Sequence, residues 1–463
     1  MPATIKAAPA SARSVSGHLF KLALLSTLLV LPYISAHARA QFSMAASNPA
    51  LSGEPLGISL KGLQPGQTVQ IFAERRFAPN APIFMSSAEM QADAQGNIAL
   101  ATTESKAGSY TGVDAAGLFW SMQTSNKVDT AWQAAETRLT ALAGQQQLAQ
   151  MTFALRSSIT PVKTEAIAGH TGAKIYLPAT SVNVNGKPPV VIILGGSEGG
   201  DSAGRRFGLK LAARGFAAVS YPYYSPNTPR GQEVPGLPKD FIDIPIDGLD
   251  ALYKTLAARN DIDSTQVALM GGSKGAEMAL LSASLLPWVK AVVAIAPSDL
   301  VWEGFAMDRM LEAGRYGSFS YQRKTLPYTP NAGLDKAFAT TQPVLAHIYI
   351  EGRKAYPERA KAARIAVENF KGKLLLIAGG DDQMWPSLDM ANNIVNSRKT
   401  AGLETELLAF PKAGHLVGSD GYSPNDYYTP FAMGGNAKED GHAQTVAWPA
   451  TMVFLKKALQ SGK

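Results

Sequence analysis

One pentapeptide in this 463-residue chain has the layout of a nucleophile. Gly271-Gly272-Ser273-Lys274-Gly275 stands directly after an apolar run, Val267-Ala268-Leu269-Met270, and directly before a helix-forming stretch. On so sharp a strand-to-helix turn, side chains at the flanking positions would collide, so glycine is needed there. The turn lifts the Ser273 hydroxyl above the sheet edge and sets a helix N-terminus beneath any negative charge that develops. A serine is a poor nucleophile without a base. Beyond residue 40 the histidines are His170, His347, His415 and His442. His415 lies in Pro411-Lys412-Ala413-Gly414-His415, a loop that follows the strand-like Leu407 to Phe410, which is where a base is expected. His442, near the start of the last helix, is the alternative. The acid should fall between serine and histidine in chain order. Leu374 to Gly380 runs into Asp381-Asp382, and an acid at that strand end can orient the imidazole and stabilise its protonated form. Asp382 is preferred for its distance to Trp385-Pro386, with Asp381 either the acid or a cap. The Lys274 N–H supplies one oxyanion donor. The second is expected in Gly195-Gly196-Ser197-Glu198-Gly199-Gly200, from Ser197, with Gly196 or Glu198 as alternatives. The chemistry is acyl transfer through a covalent acyl-enzyme.

Other chemistries fit poorly. The glycine-rich loop at 195–200 lacks the Gly-Lys-Ser/Thr ending of a phosphate loop and the G-x-G-x-x-G spacing of a dinucleotide site. The chain has no cysteine, which excludes disulfides, thiolate metal sites and a cysteine nucleophile. No His/carboxylate cluster has metal-ligand spacing, so neither metal nor cofactor is expected.

The elements that must position these residues fall into three parts. Residues 1–40 carry Lys6, Arg13 and Lys21, then the apolar run Leu22 to Ile34, then Ala38-Arg39-Ala40. This is the layout of a cleavable signal peptide, cut near Ala40, giving a secreted or periplasmic protein. The run is shorter than the ~20 residues of a membrane-spanning helix, so no stable span is expected after its removal. Much of the formal net charge of +7 would leave with that segment, and no basic run remains to bind nucleic acid. The expected partner is a small-molecule acyl thioester or ester.

Residues 41–158 carry short alternating segments with Gly/Pro punctuation, among them Ile58 to Leu63, Thr68 to Ala73, Pro82 to Ala88 and Ile98 to Thr103. They predict a small all-β, immunoglobulin-like sandwich. Residues 159–463 alternate apolar strands (Pro189 to Leu194, Ala217 to Tyr221, Val267 to Met270, Val289 to Ala296, Lys373 to Ala378, Thr405 to Phe410) with helical stretches. The last of these is expected from Trp448 to Gln460. That is a doubly wound, mostly parallel α/β architecture of the α/β-hydrolase type. A stretch at about 299–371 interrupts the alternation and is expected to form a cap. Its aromatics (Trp302, Phe305, Tyr316, Phe319, Tyr321, Tyr328) are expected either to line an acyl pocket or to pack the insertion itself.

The chain resembles the acyl-CoA thioesterase and bile acid-CoA:amino acid N-acyltransferase family. The resemblance is carried by Gly272-Ser273-Lys274-Gly275-Ala276-Glu277, Leu326-Pro327-Tyr328, Asp381-Asp382-Gln383 with Trp385-Pro386-Ser387, Gly414-His415-Leu416, and Gly434-Gly435-Asn436 with Ala443-Gln444 and Trp448. In the N-terminal part it is carried by Leu60 to Gln67, Gly112-Val113-Asp114 and Gly117 to Met122. It covers nearly the whole chain beyond residue 40. It implies a nucleophile–acid–His triad that takes an acyl group from a thioester and passes it to water or an amine. Two departures shape the expectation. Ser273 stands where the amino-acid-conjugating members use cysteine, which favours hydrolysis. The export signal also separates the chain from intracellular acyl-CoA. A serine thioesterase or carboxylesterase is the first reading, an acyltransferase to an amine or alcohol the second, and an exported binding protein with a decayed site a reading of another class.

Overall fold

The computed structural model describes residues 39–460 apart from 79–80, 126–134, 184–185, 227–232, 307–315 and 426–429. The proposed signal segment lies outside the described residues, save Arg39 and Ala40. Residues 39–463 form one compact unit. No helix among the described residues is long and apolar enough to cross a membrane.

An eight-stranded sheet organises the larger part. Its order is Val162–Ala166, Lys174–Pro178, Ala217–Ser220, Pro189–Leu194, Asp263–Gly272, Val289–Ile295, Lys373–Gly379 and Glu406–Phe410. The first two strands pair antiparallel and the other six run parallel. Pro189–Leu194 is buried throughout, and its alternate side chains divide between two cores. Val190, Ile192 and Leu194 pack with the helices Asp247–Ala257, Lys274–Leu285 and Ser387–Thr400. Val191 and Ile193 pack with Ser202–Ala212 and Ala437–Ala458. Helices on both faces explain why this strand reads as an unbroken apolar run.

The N-terminal part is a β-sandwich. One sheet joins Gln41–Met44, Ile58–Lys61 and Ile98–Ala99; the other runs Gln146–Phe153, Thr137–Ala143, Thr68–Arg75, Phe84–Gln91 and Ser105–Gly108. Val69, Ile71 and Ala73 alternate inward from one strand, as the pattern predicts.

One expectation is corrected. The last helix starts at Ala437, three turns before Trp448, with the Asn436 side chain accepting from Lys438 and Glu439 N–H. Pro449 resembles a helix start in sequence but lies inside this helix. Of the two readings left open for the aromatics of the insertion, packing holds for Trp302, Phe305 and Phe319. Phe241 stacks on Phe305 and meets Phe319 edge-on, and Trp302 meets Tyr349.

Candidate active site

Ser273 occupies the turn between the strand Asp263–Gly272 and the helix Lys274–Leu285, with φ of 55° and ψ of −124°. For a residue with a side chain this is a strained conformation, held only where its surroundings over-determine it. The flanking glycines show how. A Cβ on Gly271 would fall 2.1 Å from the Gly275 carbonyl oxygen, and one on Gly275 would fall 2.3 Å from that of Leu194. At Gly272 there is room, the nearest such atom being 4.0 Å away. The glycines of the pattern that sterics require are therefore 271 and 275.

His415 is held on both sides. Its Nδ1 lies 2.8 Å and 3.0 Å from the two Asp382 carboxylate oxygens, and its backbone N–H donates to the Met433 carbonyl at 2.8 Å. The Asp382 Oδ1 also accepts the N–H groups of Met384 and Trp385, which fixes the carboxylate as an acceptor. Asp381 is exposed and accepts from the Gly435 N–H at 2.8 Å. It holds the neighbouring loop and makes no contact with the imidazole. His442 packs against Phe410, and His170 is bonded to Thr255. His347 is exposed on the helix Ala346–Ala355. None of the three lines the pocket described next.

Ser273 and His415 line one cavity of about 560 Å³ at the C-terminal edge of the sheet, together with Gly196, Ser197 and Glu198. Among the described residues Ser273 Oγ makes no hydrogen bond, a serine–imidazole bond that often tightens only when substrate binds. The N–H groups of Lys274, Ser197, Gly196 and Glu198 are not taken up by any backbone carbonyl among the described residues, so each is open to an oxyanion. The rest of the wall is mostly apolar, from Phe207, Met270, Ile295, Met384, Phe431 and Met433 among others. Among the described residues no part of it comes from 299–371.

Burial pulls the His415 pKa down, but the charge and hydrogen bond of Asp382, with the charges of Glu198 and Asp440, outweigh it and raise the pKa above 6.5. Asp440 was assigned no part in sequence, and Glu198 only that of an alternative oxyanion donor. Asp440 accepts the Gly414 N–H at 2.7 Å, and its burial pushes its own pKa up to about 6. The Glu198 carboxylate lies over the oxyanion loop: a methyl on Gly196 would come within 2.7 Å of its Oε2 and 3.3 Å of Ser273 Cβ. A base must be neutral to work, so a raised pKa moves the acid limb of the rate profile to higher pH. Glu198→Gln removes one raising charge. The acid limb of kcat/KM should then move to lower pH; an unmoved or rising limb would show that Glu198 does not act on the imidazole.

Residues 250–461 match the family profile described as the BAAT / acyl-CoA thioester hydrolase C terminal. Residues 53–170 match the acyl-CoA thioester hydrolase/BAAT N-terminal region. The chain is 27% identical to rat mitochondrial acyl-coenzyme A thioesterase 2, covering 92% of this chain and 91% of that one. It is 26% identical to mouse acyl-coenzyme A thioesterase 1, covering 91% and 97%. It is also 26% identical to the mouse peroxisomal succinyl-coenzyme A thioesterase, covering 88% and 94%.

Proposed function

We propose, from the premise that this chain belongs to the acyl-CoA thioester hydrolase/BAAT family, that it is a serine hydrolase cleaving acyl thioesters or esters through an acyl-enzyme on Ser273. The observation that carries the reading is the Asp382-bound His415 sharing a pocket with the strained Ser273. Ser273 Oγ attacks the acyl carbonyl while His415 takes its proton. Asp382 keeps the Nδ1 proton in place and stabilises the imidazolium. The Lys274 and Ser197 N–H groups receive the oxyanion, and the helix that begins at Lys274 adds its dipole. His415 then returns the proton to the departing thiolate or alkoxide. A water deprotonated by the same imidazole attacks the acyl-enzyme, releasing the carboxylic acid and the free serine. The apolar wall suits an acyl chain that carries little charge.

A fluorophosphonate probe tests this directly. It should attach to the peptide containing Ser273 in folded protein, with protection by a competing acyl thioester. Folded protein that stays unlabelled would overturn the reading. A screen of CoA thioesters against simple esters, with and without an amine acceptor, then separates thioesterase, esterase and acyltransferase.

The address is proposed on the first forty residues alone: export to a secreted or periplasmic location, with cleavage near Ala40. N-terminal sequencing of protein recovered from the producing cells should begin at Gln41, or at Arg39 if the cut follows Ala38. An intact Met1 would count against it.

A further inference from the structure

The β-sandwich has no chemistry of its own in the reading above, yet several of its contacts with the rest of the chain fall at both flanks of His415. Leu416, Gly418 and Ser419 follow the imidazole along the pocket wall. The next residue, Asp420, is buried, and its Oδ2 accepts from Ser52 Oγ of the sandwich at 2.6 Å and from Lys210 Nζ at 2.5 Å. Burial would raise the carboxyl's pKa, but Lys210, Ser52 and the Tyr422 N–H hold it below its ordinary value. Tyr422 then enters the sandwich. It is only 7% exposed and belongs to that domain's own apolar core, with its ring 5.2 Å from that of Phe119. Its carbonyl accepts from Arg75, on the strand Thr68–Arg75. Asn425 N–H donates to the Trp120 carbonyl at 3.0 Å.

The other flank is reached through the same tryptophan. The Trp120 ring lies so close to Gly441 that a Cβ there would come within 2.5 Å of it. Gly441 adjoins Asp440, the residue that holds the Gly414 N–H just before His415. Gln444, one turn further along that helix, donates from its Nε2 to the Leu416 carbonyl at 2.7 Å and reaches Asn425 at 3.1 Å. Residues 414–425 carry no helix or strand. A loop without a ladder of its own is ordered by its anchors, and most of these anchors belong to the sandwich or to the helix it packs against.

We propose that the β-sandwich is a positioning element for the histidine loop: by seating Tyr422 in its core, binding Asp420 through Ser52 and packing Trp120 on Gly441, it fixes the imidazole and the pocket wall formed by Leu416, Gly418 and Ser419. This rests on the reading of Ser273 and His415 as the working pair. It makes Tyr422 and Asp420 positioning residues, remote from the reacting atoms and acting through the loop. A misplacement of the base by about 1 Å costs on the order of a hundredfold in rate, and a slack wall blurs the choice of acyl chain.

The test uses the full chain and the variants Tyr422→Ala, Tyr422→Phe and Ser52→Ala. Melting curves and circular dichroism establish that each is folded. Hydrogen exchange over residues 412–421 and kcat/KM against short and long acyl thioesters are then read. Tyr422→Ala should exchange faster across that segment while the central sheet stays protected, lose on the order of a hundredfold in kcat/KM, and flatten the chain-length profile. Tyr422→Phe keeps the ring in the sandwich core and should restore both readouts. Ser52→Ala removes one anchor and should move exchange and rate in the same direction by less, which keeps the idea testable if Tyr422→Ala fails to fold. Folded Tyr422→Ala with wild-type exchange, or with faster exchange and an unchanged rate and chain-length profile, overturns the proposal. Probe labelling of Ser273 in the wild type is the control: if labelling fails, the site reading falls, whereas the exchange result still judges the loop's attachment.

Discussion

Ser273→Ala is expected to lower kcat by roughly a millionfold, and Asp382→Asn by roughly ten-thousandfold. The two magnitudes differ because the residues do different work. Without the serine there is no acyl-enzyme, and what remains is the rate that binding and the oxyanion donors can support. Asparagine at 382 keeps the shape but presents an amide to Nδ1, which favours the wrong imidazole tautomer and no longer balances the imidazolium. The adjacent aspartate gives the comparison that identifies the acid. Asp381 bonds the Gly435 N–H, so Asp381→Asn disturbs one exposed hydrogen bond and should cost less than about tenfold. Combining Ser273→Ala with Asp382→Asn should add little to the serine variant alone, since residues that act as a unit are not additive. Steady-state kinetics on one thioester decide the matter. If Asp381→Asn proves the damaging change and Asp382→Asn is mild, the acid has been misassigned.

How much of this was legible before the fold was seen depends on what kind of signal each part leaves. The turn that carries Ser273 was legible because it leaves no choice of residue: Gly271 and Gly275 are dictated by backbone atoms about 2 Å from any added carbon. The central strands were legible because burial on both faces writes an apolar run. The hairpin Thr137–Ala143 with Gln146–Phe153 escaped, since its outward faces carry Gln146, Gln147 and Gln150 and dilute the alternation. Asp440 escaped for a related reason. The helix it opens was expected to begin at Trp448, so a carboxylate in its first turn passed for a loop residue. The apolar walls at Met384, Phe431 and Met433 sit on segments without helix or strand, and such segments have no period to read. Conversely, six aromatics in the insertion left a pocket lining and simple packing equally open, and none of them lines the pocket that holds Ser273. Aromatic content marks burial, and only geometry tells which cavity, if any, the rings face.

Lys274→Met is expected to destabilise the fold by about 3–5 kcal/mol, far more than a change beside the active serine would suggest. The backbone N–H of Lys274 is the proposed oxyanion donor, but its side chain runs into the protein. There Nζ donates to Glu277 Oε2 at 2.7 Å and to Ser318 Oγ at 2.8 Å, between the rings of Phe241 and Phe319. The other Glu277 oxygen accepts the Trp302 N–H at 3.1 Å, so the pair ties the turn that bears Ser273 to the insertion. Burial lowers the Lys274 pKa and raises that of Glu277, which means each charge persists because of the other. Removing the lysine strands a carboxylate in an apolar core, where it takes up a proton. The sign of the pH dependence follows. A carboxyl whose folded pKa is raised above its unfolded value holds more protons when native, so stability falls as pH rises from the unfolded value towards the folded one. Urea titrations of Lys274→Met should therefore show the smallest deficit in acid and a growing one towards neutral pH. The double variant Lys274→Met with Glu277→Gln keeps an oxygen for Trp302 and removes both charges, and it should recover most of the loss. A deficit that ignores pH, and that Glu277→Gln fails to relieve, would mean the lysine stabilises through packing alone.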